Sequence, residues 1–259
     1  MSLEDKLPKF FIVLAVLFYA FLWTPVIILI LFSFNSDKFG VRWEQFTLKW
    51  YIEFLNNVAA KDALKTSLIV ASVTVVASTA FGTLTAYGLY KLKFPGRGIL
   101  RSSILLPIVV PYVVTGGSLL VFFTRVFRVS LGYPSILIAH ITFSTPLAVF
   151  VILGRMQRID WSWEEAAMDL GANRLTAFIK VIGPILLPGI AASAMLIFPW
   201  SFDDFVITFF VAGIGTTTLP IYVYSQVRYG VSPVINTIGT IFIVATIIPL
   251  MLSSILQRK

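Results

Sequence analysis

The chain has 259 residues, of which 58% are hydrophobic and 12% are charged, whereas a soluble globular domain carries about 25% charged residues. With a mean hydropathy of +0.92, this composition excludes a soluble domain and indicates an all-α membrane protein. The net charge of +8 does not indicate nucleic-acid binding, because the basic residues cluster in short loops between apolar runs.

Six apolar runs are each long enough for the roughly 20 helical residues that cross a bilayer core. The first exceeds the roughly 7–15-residue hydrophobic region of a cleaved signal peptide and is therefore predicted to be a retained span. The predicted spans cover about residues 10–34, 67–90, 102–124, 130–154, 185–211 and 231–257, within one domain over residues 1–259.

The short loop between the second and third spans predicts the orientation of the chain. It carries Lys91, Lys93, Arg97 and Arg101 without an acidic residue, and such loops lie on the cytoplasmic side. Six spans then place both termini in the cytoplasm, together with the polar loop over residues 160–188.

The predicted outer loop over residues 35–66 mixes charged residues with aromatic ones, which favour the membrane–water boundary. Two interpretations stay open: an interfacial helix that shields the bundle, or a docking surface for an external partner. The aromatic residues are Phe39, Trp43, Phe46, Trp50, Tyr51 and Phe54.

The loop over residues 160–188 has the pattern of a helix, a glycine turn and a second helix. Ser162 and Glu165 have the spacing of a capping box, in which each side chain bonds the other's backbone N–H. Gly171 is suited to the left-handed conformation that ends a helix, and Asn173 is a good cap for the helix that follows.

The chain lacks the residue patterns of an enzyme or a nucleotide-binding domain. No GxxxxGK[ST] phosphate loop occurs and there is no cysteine, so neither a nucleotide cradle of that kind nor a thiolate site is present. His140 is the single histidine, and it lies inside the fourth predicted span. Without a partner at ligand spacing, it is predicted to be buried and hydrogen-bonded rather than a metal ligand or proton relay.

Asp203 and Asp204 are the most costly residues of the predicted fifth span, because an aspartate at a helix centre costs about 2.5–3.5 kcal/mol in insertion. If that helix begins near Ile190, Asp203 lies about 20 Å along it, in the outer half of the membrane. Pro199 is predicted to kink the helix just before the pair.

Two roles are open for this acidic pair. In one, a carboxylate faces a central translocation pathway and attracts a cation, and aromatic rings beside the pathway contact an ammonium group. In the other, the pair is structural and bonds a neighbouring helix or a loop group such as Arg228. The candidate aromatic residues are Trp200, Phe202, Tyr222 and Tyr224.

The run from Glu165, Ala166 and Ala167 to Gly171, with Val181 and Pro184 after it, resembles the EAA loop of inner-membrane permeases of binding-protein-dependent ABC importers. It precedes the penultimate span, as in that family. Two residues differ from the family pattern, which usually has isoleucine at the position of Val181 and leucine at that of Gly183.

The resemblance extends along the whole chain. Within the family, the chain is most similar to the second (C-type) permease of spermidine/putrescine importers. The matching stretches are FSFNSDKFG at residues 32–40, HITF at 140–143, EEAAMDLGAN at 164–173, FDDFVITFFVAG at 202–213, LPIYVYSQVRYGVSP at 219–233 and Asn236.

The resemblance implies a multi-pass, MetI-like permease of the bacterial inner membrane, which forms half of a polyamine pathway and is not an enzyme. It implies a different permease partner, two ATPase subunits, an extracytoplasmic substrate-binding protein and surrounding lipid. ATP and Mg²⁺ would bind the ATPase, with no cofactor or metal in this chain. The implied coupling residues are Glu164, Glu165, Ala166, Ala167, Asp169 and Gly171.

Two alternatives remain at the level of the sequence. The same fold serves importers of other amines, iron or opine-like compounds. A secondary transporter could also use a membrane carboxylate pair as an ion site, but it would need inverted repeats and no ATPase-docking loop.

Overall fold

The computed structural model describes residues 3–38, 42–229 and 233–257. These ranges are helical apart from turns, connecting segments and one isolated antiparallel bridge between Asn35 and Phe46. The all-α prediction is confirmed for them. The helices are α1 (Leu3–Phe32), α2 (Lys49–Asn56), α3 (Val58–Lys91), α4 (Arg97–Ser103), α5 (Leu106–Val109), α6 (Tyr112–Val121), α7 (Tyr133–Met156), α8 (Ser162–Asp169), α9 (Arg174–Ala177), α10 (Gly183–Phe202), α11 (Val206–Val211), α12 (Leu219–Tyr229) and α13 (Pro233–Gln257).

Four helical stretches of the described chain are long and apolar enough to cross a membrane, and a fifth crossing is possible through a bent pair of stretches. Residues 231 and 232 of the predicted sixth span lie outside the described residues, and α13 begins at Pro233. The straight stretches are Lys9–Phe32, Val58–Lys91, Tyr133–Met156 and Arg174–Phe202.

The predicted third span is bent rather than straight. Its two halves, Arg97–Val109 and Tyr112–Phe127, meet at 104°. The bend lies at Val110, whose ψ of 132° is extended, and the next residue is Pro111. A proline disfavours helical backbone in the residue before it, which explains why the helix ends here.

The predicted fifth span is also interrupted, because α10 ends at Phe202 and α11 begins only at Val206. At its other end, a π-helical turn over Phe178–Ile182 joins α9 to α10. Pro184 has no N–H to give to the carbonyl four residues before it, which favours such a local shift of the hydrogen-bond ladder.

The chain divides into two compact units. The smaller comprises Met1–Lys61 and Val223–Val244, and the larger comprises Asp62–Tyr222 and Ala245–Lys259. The larger unit buries two apolar clusters between α3, α7, α10 and α11. One consists of Ala86, Leu89, Ala148, Val149, Ile152, Met156, Ile159, Ile182, Leu186 and Ile197, and the other of Val70, Phe123, Ile136, Ala139, Phe143, Ile207 and Val211.

In the smaller unit the predicted outer loop is organised around Asn35, which is fully buried. Its side-chain amide donates to the carbonyl of Arg42 at 2.6 Å and accepts from the N–H of Glu44 at 3.0 Å. Its own carbonyl accepts from the indole of Trp50 at 2.7 Å. These bonds join the end of α1 to the loop and to α2.

We expect Asn35→Ala to loosen this loop, because it removes the side-chain bonds to backbone groups of Asp37, Arg42 and Glu44 at a cost of about 1–3 kcal/mol. Hydrogen–deuterium exchange over residues 42–50 should then be about fivefold faster or more, since 1.4 kcal/mol corresponds to a factor of ten. Asn56→Ala, at an exposed position on α2, is the matched control and should leave these rates unchanged. Equal effects of both changes would contradict the role given to Asn35.

Candidate functional site

The helix α8 begins differently from the prediction. The carboxylate of Asp160 accepts from the N–H of Ser162 at 3.0 Å, and no side chain caps the helix at Trp161. The predicted capping box of Ser162 and Glu165 is therefore wrong. The backbone hydrogen bond from Ser162, followed by the side-chain one, holds the pKa of Asp160 below its ordinary value.

The turn between α8 and α9 confirms the predictions for Gly171 and Asn173. Gly171 has a φ of 92°, in the left-handed region that favours glycine. The side chain of Asn173 accepts from the N–H of Thr176 at 2.8 Å and caps α9.

Glu164 attaches α8 to the end of α3. Its carboxylate accepts a hydrogen bond from the Tyr87 hydroxyl at 2.6 Å and pairs with the Lys91 ammonium at 2.5 Å. The same ammonium lies 4.1 Å from the ring centre of Trp161. Burial alone would raise the pKa of Glu164, but the hydrogen bonds from Lys91 and Tyr87 and the charges of Lys91 and Arg174 outweigh it and lower the pKa.

The opposite side of α8 is exposed. Glu165, Ala166 and Asp169 are exposed, as is Gly171 after the helix, while Ala167 is half-buried. The predicted coupling residues therefore divide into one buried attachment, Glu164, and a mostly exposed set. Apolar side chains on the same α8–α9 unit are also exposed: Trp163, Met168, Leu170, Leu175 and Ile179.

The acidic pair lies where α10 ends, not within a continuous helix. Asp203 is the C-cap residue of α10, and its N–H bonds to the carbonyl of Pro199 at 3.1 Å. The prediction of one unbroken fifth helix that runs through Asp203 is therefore wrong. The helix passes Pro199, ends three residues later and leaves the side chain of Asp203 exposed.

Asp204 is buried, with 8% of the residue exposed. Its Oδ2 accepts from both the N–H and the hydroxyl of Thr208, each at 2.8 Å. Oδ1 accepts from the N–H of Ile207 at 3.4 Å. Asp204 thus satisfies the first free N–H groups of α11, which a side-chain acceptor at a helix start does in general.

His140 of α7 completes this network. It is 1% exposed, with Nδ1 at 2.7 Å from the Ser201 hydroxyl and Nε2 at 2.8 Å from the Thr208 hydroxyl. Nε2 also lies 3.5 Å from Asp204. The Thr208 hydroxyl has one proton, which it donates to Asp204, so towards His140 it accepts a hydrogen bond from Nε2–H. In a neutral ring Nδ1 then carries no proton and accepts from the Ser201 hydroxyl. The predicted buried, hydrogen-bonded histidine is confirmed, and the described residues hold no cluster of three metal-ligating side chains.

The predicted aromatic residues differ in burial and in their contacts. Trp200 is partly buried and meets Tyr112 edge-on at 6.1 Å. Phe202 is 2% exposed and stacks on Phe198. Tyr222 is also buried. Tyr224 belongs to the smaller unit and is about half exposed.

Residues 78–259 match the model of the family described as "Binding-protein-dependent transport system inner membrane component". The chain is 38% identical over 240 residues to the spermidine/putrescine transport system permease protein PotC of Escherichia coli strain K12, covering 93% of this chain and 90% of that protein. The chain belongs to this family of permeases.

The permease is also 39% identical over 239 residues to the putrescine transport system permease protein PotI of E. coli strain K12, covering 90% of this chain and 85% of that one. The resemblance to polyamine-importer permeases is confirmed as homology, and the homologues are permease subunits rather than enzymes.

Solved structures confirm the fold of the permease. A bacterial ABC transporter involved in the import of the acidic polysaccharide alginate superposes with a TM-score of 0.74 at 16% identity, covering 98% of this chain and 96% of that chain. The MetNI methionine ABC transporter gives 0.59 at 15% identity, covering 76% and 92%. These likenesses establish the MetI-like permease fold.

The sequence did not indicate the partners of these side chains. His140 and Asp204 both lie in stretches that match the family, at residues 140–143 and 202–213, but their spacing does not indicate that the two side chains meet. Tyr87 and Lys91 were likewise not connected with Glu164. The available signal was the cost of leaving Asp204 or Glu164 buried without a partner.

The Glu164 attachment predicts a pH dependence of stability. Because the pKa of Glu164 in the folded chain lies below the ordinary 4.5, its stabilising contribution is full above pH 4.5 and is lost as the pH falls through the folded value. We expect Glu164→Gln to lower the free energy of unfolding in detergent by about 1–3 kcal/mol at pH 7. The difference from wild type should shrink below pH 4.5. Glu165→Gln, one position on and exposed, is the control, and an equal loss there would contradict the assignment.

Proposed function

We propose that this permease forms half of the translocation pathway of an ATP-driven, binding-protein-dependent importer of polyamines such as spermidine and putrescine. The observation that carries the proposal is the homology over nine-tenths of the chain to permeases named for these two substrates. The exposed carboxylate of Asp203, where α10 ends in the larger unit, supports the proposal because it can attract a polycation.

Asp203 is the carboxylate that meets the cargo. It is exposed, and it lies at the C-terminal end of α10, where the free carbonyls of the helix carry partial negative charge. A carboxylate beside a helix C-terminus attracts an ammonium group more strongly than either would alone. Broken helices in other transporters use their C-terminal ends for cations in the same manner.

Asp204 has a different role. All the acceptor positions described for it are directed at α11 and His140, so it holds the break in place rather than binding the cargo. Trp200, Tyr222 and Tyr224 are candidates for aromatic contacts with the ammonium groups of the cargo.

The α8–α9 unit is the coupling surface for the ATPase. Its buried side is fixed to α3 through Glu164, while Leu170 is 90% exposed and the carboxylates of Glu165 and Asp169 are free to meet donors on another protein. Trp163, Met168 and Leu175 of the same unit are exposed as well, and exposed apolar patches rimmed by polar residues mark protein interfaces.

The complete importer contains a second, different permease, two ATPase subunits that bind ATP and Mg²⁺, and an extracytoplasmic substrate-binding protein. The chain crosses the bacterial inner membrane six times with both termini in the cytoplasm. In this arrangement α4 to α6 make the third span and α10 with α11 the fifth. The basic residues at 91, 93, 97 and 101 then lie on the same side as the coupling surface, as the positive-inside rule requires.

We expect Asp203→Asn to reduce spermidine uptake by about tenfold or more, since an ion pair to the cargo is worth at least 1.5 kcal/mol. Uptake of labelled spermidine into cells or proteoliposomes that contain the whole importer measures this. Asp62→Asn, at an exposed position of α3, is the control. Unchanged uptake in Asp203→Asn would contradict the role given to Asp203. Unchanged uptake in Asp204→Asn and in the double variant as well would exclude a cation pathway at this acidic pair.

We expect Leu170→Asp to keep the chain in the membrane but abolish substrate-stimulated ATP hydrolysis, because a charge would replace an apolar contact with the ATPase. Leu170→Met, which keeps an apolar side chain at the same position, is the matched control and should preserve the stimulation. ATP hydrolysis is measured with and without the loaded binding protein. Preserved stimulation in Leu170→Asp would refute the coupling assignment.

A further inference from the structure

A cavity of about 600 Å³ opens on the larger unit between α7, α10, the end of α3 and the segment that begins at α4. This volume lies in the range of small-molecule sites. Its walls are largely apolar and include Leu89, Ile104, Leu105, Val149, Phe150 and Leu196. None of these residues belongs to the coupling surface or the acidic site.

Three arginines, Arg101, Arg155 and Arg158, line the same cavity. Within the described part of the chain the ion pairs join Lys91 to Glu164 and His140 to Asp204, so none of the three arginines has an acidic partner there. The Nε atom of Arg155 is buried and has no hydrogen-bond partner. A buried donor of a charged group without a partner is costly, which indicates that an anionic acceptor is absent from the isolated chain.

The position of Arg155 is set by the packing of α7 against α10. Its stem crosses Gly189, where an added Cβ would come within 2.8 Å of the Cβ and Cγ of Arg155. The glycine lets the arginine stem lie flat against α10. The guanidinium group is thereby held at the wall of the cavity rather than extended away from it.

The charge and the walls of this cavity suit an amphiphile with a negative head. Arg155 lies one residue before the end of α7, Arg158 lies just after α7, and Arg101 lies on α4. The arginines are therefore at helix ends near the α8–α9 unit, at the level of a headgroup, while Val149, Phe150 and Leu196 lie deeper along α7 and α10. Basic pockets between membrane helices on the cytoplasmic side bind anionic lipid headgroups.

We propose that this cavity binds an anionic phospholipid of the cytoplasmic leaflet. Its phosphate accepts hydrogen bonds from Arg155 and is neutralised further by Arg101 and Arg158, while the upper acyl chain covers Phe150 and Leu196. Inorganic phosphate would match the arginines but leave the apolar walls uncovered. A zwitterionic lipid such as phosphatidylcholine would cover the walls and offer a phosphate, but its choline cation would cancel the negative charge and repel the three guanidinium groups.

Native mass spectrometry of the full chain in detergent, titrated with phosphatidylglycerol, phosphatidylcholine or inorganic phosphate, tests the proposal. Each basic residue near a membrane surface contributes about 1 kcal/mol to anionic-lipid binding. The triple variant Arg101→Gln, Arg155→Gln and Arg158→Gln should therefore bind phosphatidylglycerol about tenfold or more weakly. Removing three exposed basic residues outside the cavity, by Lys93→Gln, Arg125→Gln and Lys180→Gln, should change the affinity far less.

A second pair of variants tests the cavity without changing its charge. Gly154 lines the cavity, and an added Cβ there meets no atom within 4 Å, so Gly154→Leu should fill the space and weaken lipid binding. Gly88 is equally open but lies outside the cavity, and Gly88→Leu should leave binding unchanged.

Three results would overturn the proposal. The first is equal affinity for phosphatidylcholine and phosphatidylglycerol. The second is phosphatidylglycerol binding that survives both the triple arginine change and Gly154→Leu. The third is lipid bound to the isolated chain but absent from the importer purified with its partner chains. A partner subunit, and not a lipid, would then cover the cavity in the importer.

Discussion

The bonding of Asp204 is the constraint on which the acidic site depends. A carboxylate buried among apolar helices must be hydrogen-bonded or it destabilises the fold by several kcal/mol. Thr208 and Ile207 supply backbone donors only if α11 starts anew after α10, so the interruption and the buried carboxylate require each other. His140 joins both sides of the interruption through Ser201 and Thr208. The neighbouring Asp203 is left exposed at the end of α10.

A second fixed contact organises the other end of the larger unit. Glu164 ties α8 to α3, and the helical stretch Arg174–Phe202 leads from the α8–α9 unit to the interruption. At 1.5 Å per residue, this stretch of 29 residues is about 43 Å long, enough to cross a bilayer core. In the proposed importer, a displacement of the coupling surface by the ATPase therefore reaches Asp203 through one helical stretch. Its π-helical turn at Phe178–Ile182 is a local feature where such stretches often bend.

The sequence predicted correctly those features that depend on residues close together in the chain. The apolar runs predicted helices, Gly171 predicted a left-handed turn and Asn173 predicted a cap, because each depends on residues within a few positions. It was misleading where two local options compete, as at Asp160 and Ser162, which can both cap α8. The interruption at residues 203–205 was not predicted because the apolar run continues through it. One of the residues that bond across it, His140, lies 64 positions before Asp204 along the chain. The family motif singles out Glu165. The buried contact is made by Glu164 instead, whose partners Tyr87 and Lys91 are on α3.

Accessibility of the two aspartates to a water-soluble reagent tests the central claim most directly. The chain has no cysteine, so Asp203→Cys and Asp204→Cys each introduce a single reporter into the assembled importer. A positively charged methanethiosulfonate should modify the Asp203→Cys protein rapidly and the Asp204→Cys protein slowly, because the first side chain is exposed and the second is enclosed by His140 and Thr208. Rapid modification at position 204 with none at position 203 would contradict the account.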